Sequence, residues 1–551
     1  MKRTNQATGC GRLLAWLAVI SLYWTSAVFA AAAPSFTAAT SGTAYNLTIS
    51  ASLNVGDADA GRNGNIYLVA TLNGSWYAHD GTSWLPWLGG PVPVYASGPL
   101  TSRSIEIARN LDSSSLVGTQ VFLGYGLDEA DMLVNGKYGL VHAFAEPVPV
   151  VRSSLQRIAA PSVADADKAA LASGNSAFAL DLYRQLAGDA ANSGGNIFFS
   201  PLSISVALAM TYAGANGTTA REMAGALHFT LPQERLHPAF GWLDLELASR
   251  GQGAQGKDGQ PFRLSVSNSL WGDAQSRFEA PFLNTLAQYY GAGMNVVDFR
   301  TAAESSRTLI NDWVAKQTEQ RIKDLLPSGS LSPYTRMVLV NAVYFNAAWQ
   351  SKFLKQATAS AAFTRLDAST VQVDMMNQDL VVRYSAGADY QAAELLYDGG
   401  ELAMLVVLPA AGQFDRFEQA FGAATLDTIL ATLGNQYVRL GLPKFKVAGG
   451  FSLKAAMQAL GMQSAFTDHA DFSGISSSEA LLIQDIFHKG YADVDENGTE
   501  AAAATGVVAG VTSVPEAPAI SFKADRPFLL FILDKKTNTI VFAGRVADPN
   551  P

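Results

Sequence analysis

The chain has 551 residues, room for several ordinary domains, and its 48% hydrophobic and 15% charged content places it among globular proteins with large cores rather than disordered ones. With 38 basic against 47 acidic side chains the formal charge is −9, and no run of lysine and arginine follows the first dozen residues, which argues against nucleic acid and anionic membrane surfaces as partners. The only cysteine is Cys10, which excludes a disulfide framework, a thiolate metal cluster and a CxxC redox pair.

Lys2, Arg3 and Arg12 precede an apolar run from Leu13 to Val28, and the alanines at 30–33 follow it. This order reads as a secretory signal peptide over residues 1–30, with Val28 and Ala30 fitting the cleavage pattern. The alternative, an uncleaved anchor, has an apolar core at the short end for about 30 Å of hydrocarbon. Cleavage would leave an extracellular or periplasmic protein with no cysteine, and no later stretch is apolar for long enough to span a membrane.

Residues 34–145 carry short alternating runs, such as 65–72 and 120–125, punctuated by Asn73-Gly74, Asp80-Gly81 and Asn135-Gly136. Alternation with period two and tight-turn dipeptides predict a small all-β, sandwich-like domain. Asp57 and Asp59 form an acidic turn in it, read either as a solvated hairpin loop or as a calcium ligand pair. The prolines of Glu146-Pro-Val-Pro-Val150 cannot serve a central strand, so residues 146–172 read as a stiff linker.

From residue 173 to 551 long helical periods alternate with buried strands, the pattern of one large α+β domain. Ser200 and Pro201 supply the cap and first position of a helix over Leu202–Ala213. The runs 337–345 and 402–408 are almost continuously apolar, as strands covered on both faces must be.

None of the common nucleophile, zinc, phosphate or dinucleotide motifs occurs, and no two of the six histidines are spaced as a metal pair on one helix face. Asp493-Val-Asp495-Glu-Asn497-Gly498 opens like a calcium loop, but its twelfth position is Ala504 in place of a bidentate carboxylate, so the match reads as coincidence.

The stretch from Glu496 to Ser513 holds conflicting signals: an alanine run that favours helix, flanked by glycines and valines that do not. Read with period two, Thr499, Ala501, Ala503, Thr505, Val507, Ala509 and Val511 share one face, all of them small and uncharged. Such a segment can enter a sheet as a central strand without displacing large groups, or it can remain a surface loop.

Taken in order, residues 196–210, 339–345 with Trp349 and Phe353, Leu442-Pro-Lys-Phe445, His488-Lys489, Glu496-x-Gly-Thr-Glu-Ala-Ala502, Asp525-Arg-Pro-Phe528 and Phe542-x-Gly-Arg545 resemble the serpin family over the whole large domain. Residues 34–145 are only loosely similar to accessory β domains of secreted bacterial proteins. The serpin resemblance implies a three-sheet α+β fold with an exposed reactive loop, and a secreted suicide inhibitor rather than an enzyme. It implies a monomer without cofactor, whose partner is a serine protease held covalently, with no nucleic acid and no membrane after signal cleavage. The hinge and inserting loop would be Glu496, Gly498, Thr499, Glu500, Ala501, Ala502, Ala503, Ala504 and Thr505, and family spacing from Glu496 places the reactive bond at Thr512-Ser513. Ser200, Ser203, Asn341 and His488 match a polar cluster beneath the opening sheet; Trp349, Lys444 and Glu496 match the region where the loop enters, with Lys444 and Glu496 as an ion pair.

In the mechanism so implied, the protease nucleophile is esterified to the carbonyl before the cut, and the freed strand, at about 3.3 Å per residue, carries it some 45 Å along the sheet. Thr512 is small and uncharged, which points to elastase-like or subtilisin-like targets. The other reading is a non-inhibitory binding or carrier protein of the same fold. Its relatives tend to carry bulky, charged or proline residues in the hinge, and this hinge has none beyond the usual glutamate.

Overall fold

The computed structural model describes residues 33–145, 148–499 and 520–550. The signal peptide expected over residues 1–30 lies outside them, as do Glu500, Ala501, Ala502, Ala503, Ala504, Thr505, Thr512 and Ser513. The chain divides into two compact units, one ending at Val148 and the other beginning at Pro149.

In the first unit Ser35–Thr43, Asn46–Asn54 and Arg103–Leu111 form a three-stranded sheet, and a second sheet of six strands is built around Asn63–Leu72 and Gln120–Gly126. Alternate residues of both sheets, including Ile49, Ala51, Leu53, Ile66, Leu68, Val121 and Leu123, close one shared core. Asn73 and Gly74 both have positive φ, 51° and 77°, the backbone that a two-residue hairpin demands and that asparagine and glycine tolerate best. Asp59 is buried and paired with Lys137 at 2.6 Å and Arg62 at 3.6 Å, so its carboxylate is already neutralised by cations of the chain.

The second unit is organised on a seven-stranded sheet, whose strands are numbered β1 (Val150–Val151), β2 (Arg263–Asp273), β3 (Met294–Val297), β4 (Met337–Ala348), β5 (Phe445–Ser452), β6 (Ile486–Asp495) and β7 (Gly498–Thr499). Their order across the sheet is β1-β3-β2-β4-β7-β6-β5. A nine-stranded sheet, which includes Leu402–Pro409, Phe528–Asp534 and Thr539–Val546, packs behind it. Every residue of β4 and of Leu402–Pro409 is buried, as their almost continuously apolar sequences require, and within β4 the buried Asn341 and Asn346 are hydrogen-bonded. On the inner face of β4, Leu339 joins a core formed with helices, whereas Val343, Phe345 and Ala347 join one shared with the nine-stranded sheet.

The expected linker needs correction. Val150 and Val151 pair with Asn295 and Met294 as an edge strand, and helix α1 (Asp165–Gly188) is under way before residue 173. Prolines are compatible with an edge, where one side of the strand bonds to nothing, so Pro149 bars a central position but not an outer one. Helix α2 (Pro201–Tyr212) runs beneath the sheet, opened by Ser200, whose hydroxyl accepts from the Ser203 N–H at 3.2 Å, with Pro201 at its first position.

Candidate functional site

The site is a fork in the seven-stranded sheet. Strands β4 and β6 run parallel and pair directly from Leu339 opposite Ile486 to Val343 opposite Gly490. Farther along they part, and β7 stands between them: Thr499 faces Ala347 on one side and Val494 on the other, and Gly498 faces Ala348 and Asp495. A chain leaving β6 at Asp495 has therefore turned back at once and started an antiparallel strand inside its own sheet.

Local chemistry explains the turn. The Asn497 N–H donates to the Asp495 carboxylate at 2.8 Å, a side-chain turn of the kind aspartate favours. Gly498 has φ of 152°, and a Cβ there would lie 2.1 Å from the Ala347 carbonyl oxygen, so only glycine fits so close to β4. Thr499 is fully buried and its hydroxyl shares a 2.8 Å hydrogen bond with that of Tyr397. Burial raises the Tyr397 pKa well above the ordinary phenol range, which keeps the hydroxyl protonated.

Around this stub the predicted region of loop entrance is assembled as one contact set. Trp349 donates from its backbone to the Asn497 carbonyl and from its indole to the Asp495 carbonyl, both at 2.9 Å, and stacks on Tyr397 with ring centres 4.7 Å apart. Lys444 lies 3.4 Å from the Glu496 carboxylate, and Thr358 donates to it at 2.8 Å. Glu496 is buried while the Lys444 side chain is 37% exposed, so the pair sits at the rim with its carboxylate covered and its ammonium partly solvated. Burial alone would push the Glu496 pKa up, but its own backbone N–H, Thr358 and Lys444 outweigh that and hold it below the usual value.

Where β4 and β6 are still joined, the predicted polar cluster spans them. His488 on β6 bonds through Nδ1 to the Asn341 side chain on β4 and accepts the Ser200 backbone N–H at Nε2, 3.1 Å away. Burial lowers its pKa to about 3, so the ring is neutral and Nδ1 carries the proton. Asn341 donates to the Ser203 hydroxyl and to Asn268, each at 2.5 Å, and the Ser200 hydroxyl donates to the Val541 carbonyl at 2.7 Å. The four expected residues are thus one hydrogen-bonded unit, tying helix α2 to both strands that would have to separate.

Asn268, Tyr397, Thr358 and Lys257 belong to these networks and were not singled out from sequence. Asn268 carries a weak signal, a polar residue inside the alternation of a strand; the others carry none, because their partners are distant in the chain. Asp493 and Asp495, the opening of the calcium-like motif, both contact the Lys257 ammonium, at 3.3 and 3.2 Å. Among the described residues no cluster of histidine, cysteine, aspartate and glutamate is arranged to hold a metal ion.

An α+β unit whose main sheet has two inner strands joined at one end and held apart at the other by the first two residues of an alanine-rich segment defines the class of protein by its fold. A family model described as serpin (serine protease inhibitor) matches residues 173–549, and the chain belongs to the serpin family. It is 40% identical over 374 residues to an uncharacterized serpin-like protein of Thermococcus kodakarensis, covering 68% of this chain and 84% of that one. Leukocyte elastase inhibitor A of Rattus norvegicus is 37% identical over 393 residues, covering 69% and 99% respectively. Among solved structures, the thermophilic serpin tengpin in its native state matches with a TM-score of 0.64 and 25% identity, over 73% of this chain and 99% of that one.

Proposed function

We propose that the protein is an exported suicide-substrate inhibitor of serine proteases that traps its target by drawing its own cut loop into the fork. The observation that carries this reading is β7, two residues of the loop already seated between strands that pair with each other a few residues farther on. Continued in the same register, Ala501 would meet Phe345 and Ala492, Ala503 would meet Val343 and Gly490, Thr505 would meet Asn341 and His488, and Val507 would meet Leu339 and Ile486. In that register the small face read from sequence would fall on the same side as the buried Thr499. At Thr505 the incoming hydroxyl replaces the direct Asn341–His488 contact with a group that both donates and accepts.

The chemistry is acyl transfer interrupted halfway. The protease serine oxygen attacks the Thr512 carbonyl carbon, the Thr512–Ser513 peptide bond breaks, the Ser513 nitrogen leaves with the proton, and Thr512 remains as an ester on the protease. The register runs out at Met337, opposite Ala509, so the three residues to Thr512 carry the ester past the end of β4. Each new ladder hydrogen bond contributes about 0.5–1.5 kcal/mol net, on the order of 10 kcal/mol for the strand, which is the energy available to distort the attached protease before water releases it. Thr512 suits shallow specificity pockets; a trypsin-like pocket would keep an unpaired carboxylate.

The test is incubation with elastase-like, subtilisin-like and trypsin-like proteases, followed by denaturing electrophoresis in detergent. A covalent complex with the first two classes and release of a fragment beginning at Ser513 support the reading. Cleavage at that bond with every protease and a complex with none would overturn it.

A further inference from the structure

Lys257 lies in a glycine-rich turn ahead of β2, yet its side chain is fully buried. The turn is fastened to β4: the Ala348 N–H donates to the Gln255 carbonyl at 3.0 Å, and the Lys257 N–H donates to the Asn346 side chain at 2.7 Å. Gly256 permits this approach, since a Cβ there would sit 2.6 Å from the Asn346 oxygen. From β4 the side chain reaches β6, where its ammonium donates to the Asp493 carbonyl at 2.8 Å and contacts the carboxylates of Asp493 and Asp495.

The position matters because these are the next residues of the fork. In the register set by β7, position 500 falls between Asn346 and Asp493, the two residues that Lys257 connects. Bonding alternates along an antiparallel ladder, and the Asp493 carbonyl, held by Lys257, is the acceptor that the Glu500 N–H would claim. Desolvation lowers the Lys257 pKa, and the two carboxylates counter it. Lys446 also pairs with Asp493, at 3.0 Å, but from the neighbouring β5 rather than across the fork.

We propose that Lys257 is a latch across the fork: it bridges β4 to β6 ahead of Thr499, occupies the next hydrogen-bond acceptor of the sheet, and must let go before the loop advances. It is a positioning residue that sets the rate of insertion. The entering Glu500 places a carboxylate beside the ammonium and gives it a new partner as Asp493 is taken over. The proposal rests on the insertion reading above.

The test uses the full-length intact protein and a synthetic peptide with the sequence of residues 499–510, following peptide uptake by mass and by the rise in melting temperature. Lys257→Met, of similar length but uncharged, should take up the peptide roughly tenfold faster than the unaltered protein, the change expected when one charge-assisted contact is lost. It should also convert a larger share of each protease encounter into covalent complex, a partition that general loosening of the fold would not improve. Equal uptake rates with both proteins folded would overturn the latch and leave the insertion reading standing. Uptake by neither would overturn both. Should Lys257→Met fail to fold, Asp495→Asn removes one bridging charge and must accelerate uptake for the latch to survive.

Discussion

Gly498 and Thr499 occupy the narrowest part of the site, and single substitutions there test the fork directly. Gly498→Ala drives a methyl group into the Ala347 carbonyl, and Thr499→Arg buries a guanidinium against Tyr397 with no counter-charge, at a cost of several kcal/mol. Both variants should be cut by the target protease as substrates, with a severalfold higher ratio of cleaved protein to covalent complex on denaturing gels; undiminished trapping by Thr499→Arg would show that this residue does not enter the sheet. His488 makes a separate prediction about pH. Burial depresses its pKa from 6.5 to about 3, so the unfolded chain takes up a proton that the folded chain refuses. The stability it contributes is complete above pH 6.5 and is lost as the pH falls toward 3, at up to about 1.4 kcal/mol per unit. His488→Gln should therefore show a shallower fall in melting temperature between about pH 6 and pH 4 than the unaltered protein, as measured by calorimetry. At this scale the sequence revealed Ser200, Ser203, Asn341 and His488 as a group, because the motifs that carry them are recognisable one by one. It did not reveal Lys257, because nothing in its glycine-rich surroundings signals burial and its ammonium partners lie more than 230 residues away.

Among the elements, β4, the run at 402–408 and the Ser200-capped helix were legible because apolar continuity and capping chemistry are local. The fork was not, since the same apolar strand pattern serves a closed sheet and an open one, and only the pairing of β4 with β6 tells them apart. Edge strand β1 was hidden for a related reason: two valines after a proline give no period. The direct β4–β6 pairing suggests its own experiment, because Ala342 and Lys489 face each other across the parallel ladder. The only natural cysteine is Cys10, so Ala342→Cys with Lys489→Cys introduces a pair whose bond would clamp the two strands together. The oxidised protein should be cleaved without forming a detergent-stable complex, and reduction should restore trapping. Equal trapping in both redox states would mean that these strands need not separate.

For the whole molecule, the boundary between the units decides what can be removed. Val150 and Val151 belong to the large unit's sheet, so deletion through Val148 should leave inhibition rates within a few-fold, whereas deletion through Ala164 strips the edge strand and should lower the melting temperature. A soluble, folded protein starting at Pro149 that fails to inhibit would assign the first unit a part in the trap. The composition and the change of periodicity made two kinds of architecture readable from sequence, but not the position at which one ends, since prolines mark linkers and edge strands alike. The central claim is that the intact sheet is short of one strand and that the loop supplies it. Its most direct measurement is the melting temperature of the large unit before and after a single verified cut at Thr512–Ser513, with the fragments kept together. Gain of about 10 kcal/mol of ladder and burial predicts a rise of roughly 10 °C, at about 1 °C per kcal/mol for a unit of this length. An unchanged or lower melting temperature after the cut would contradict the account.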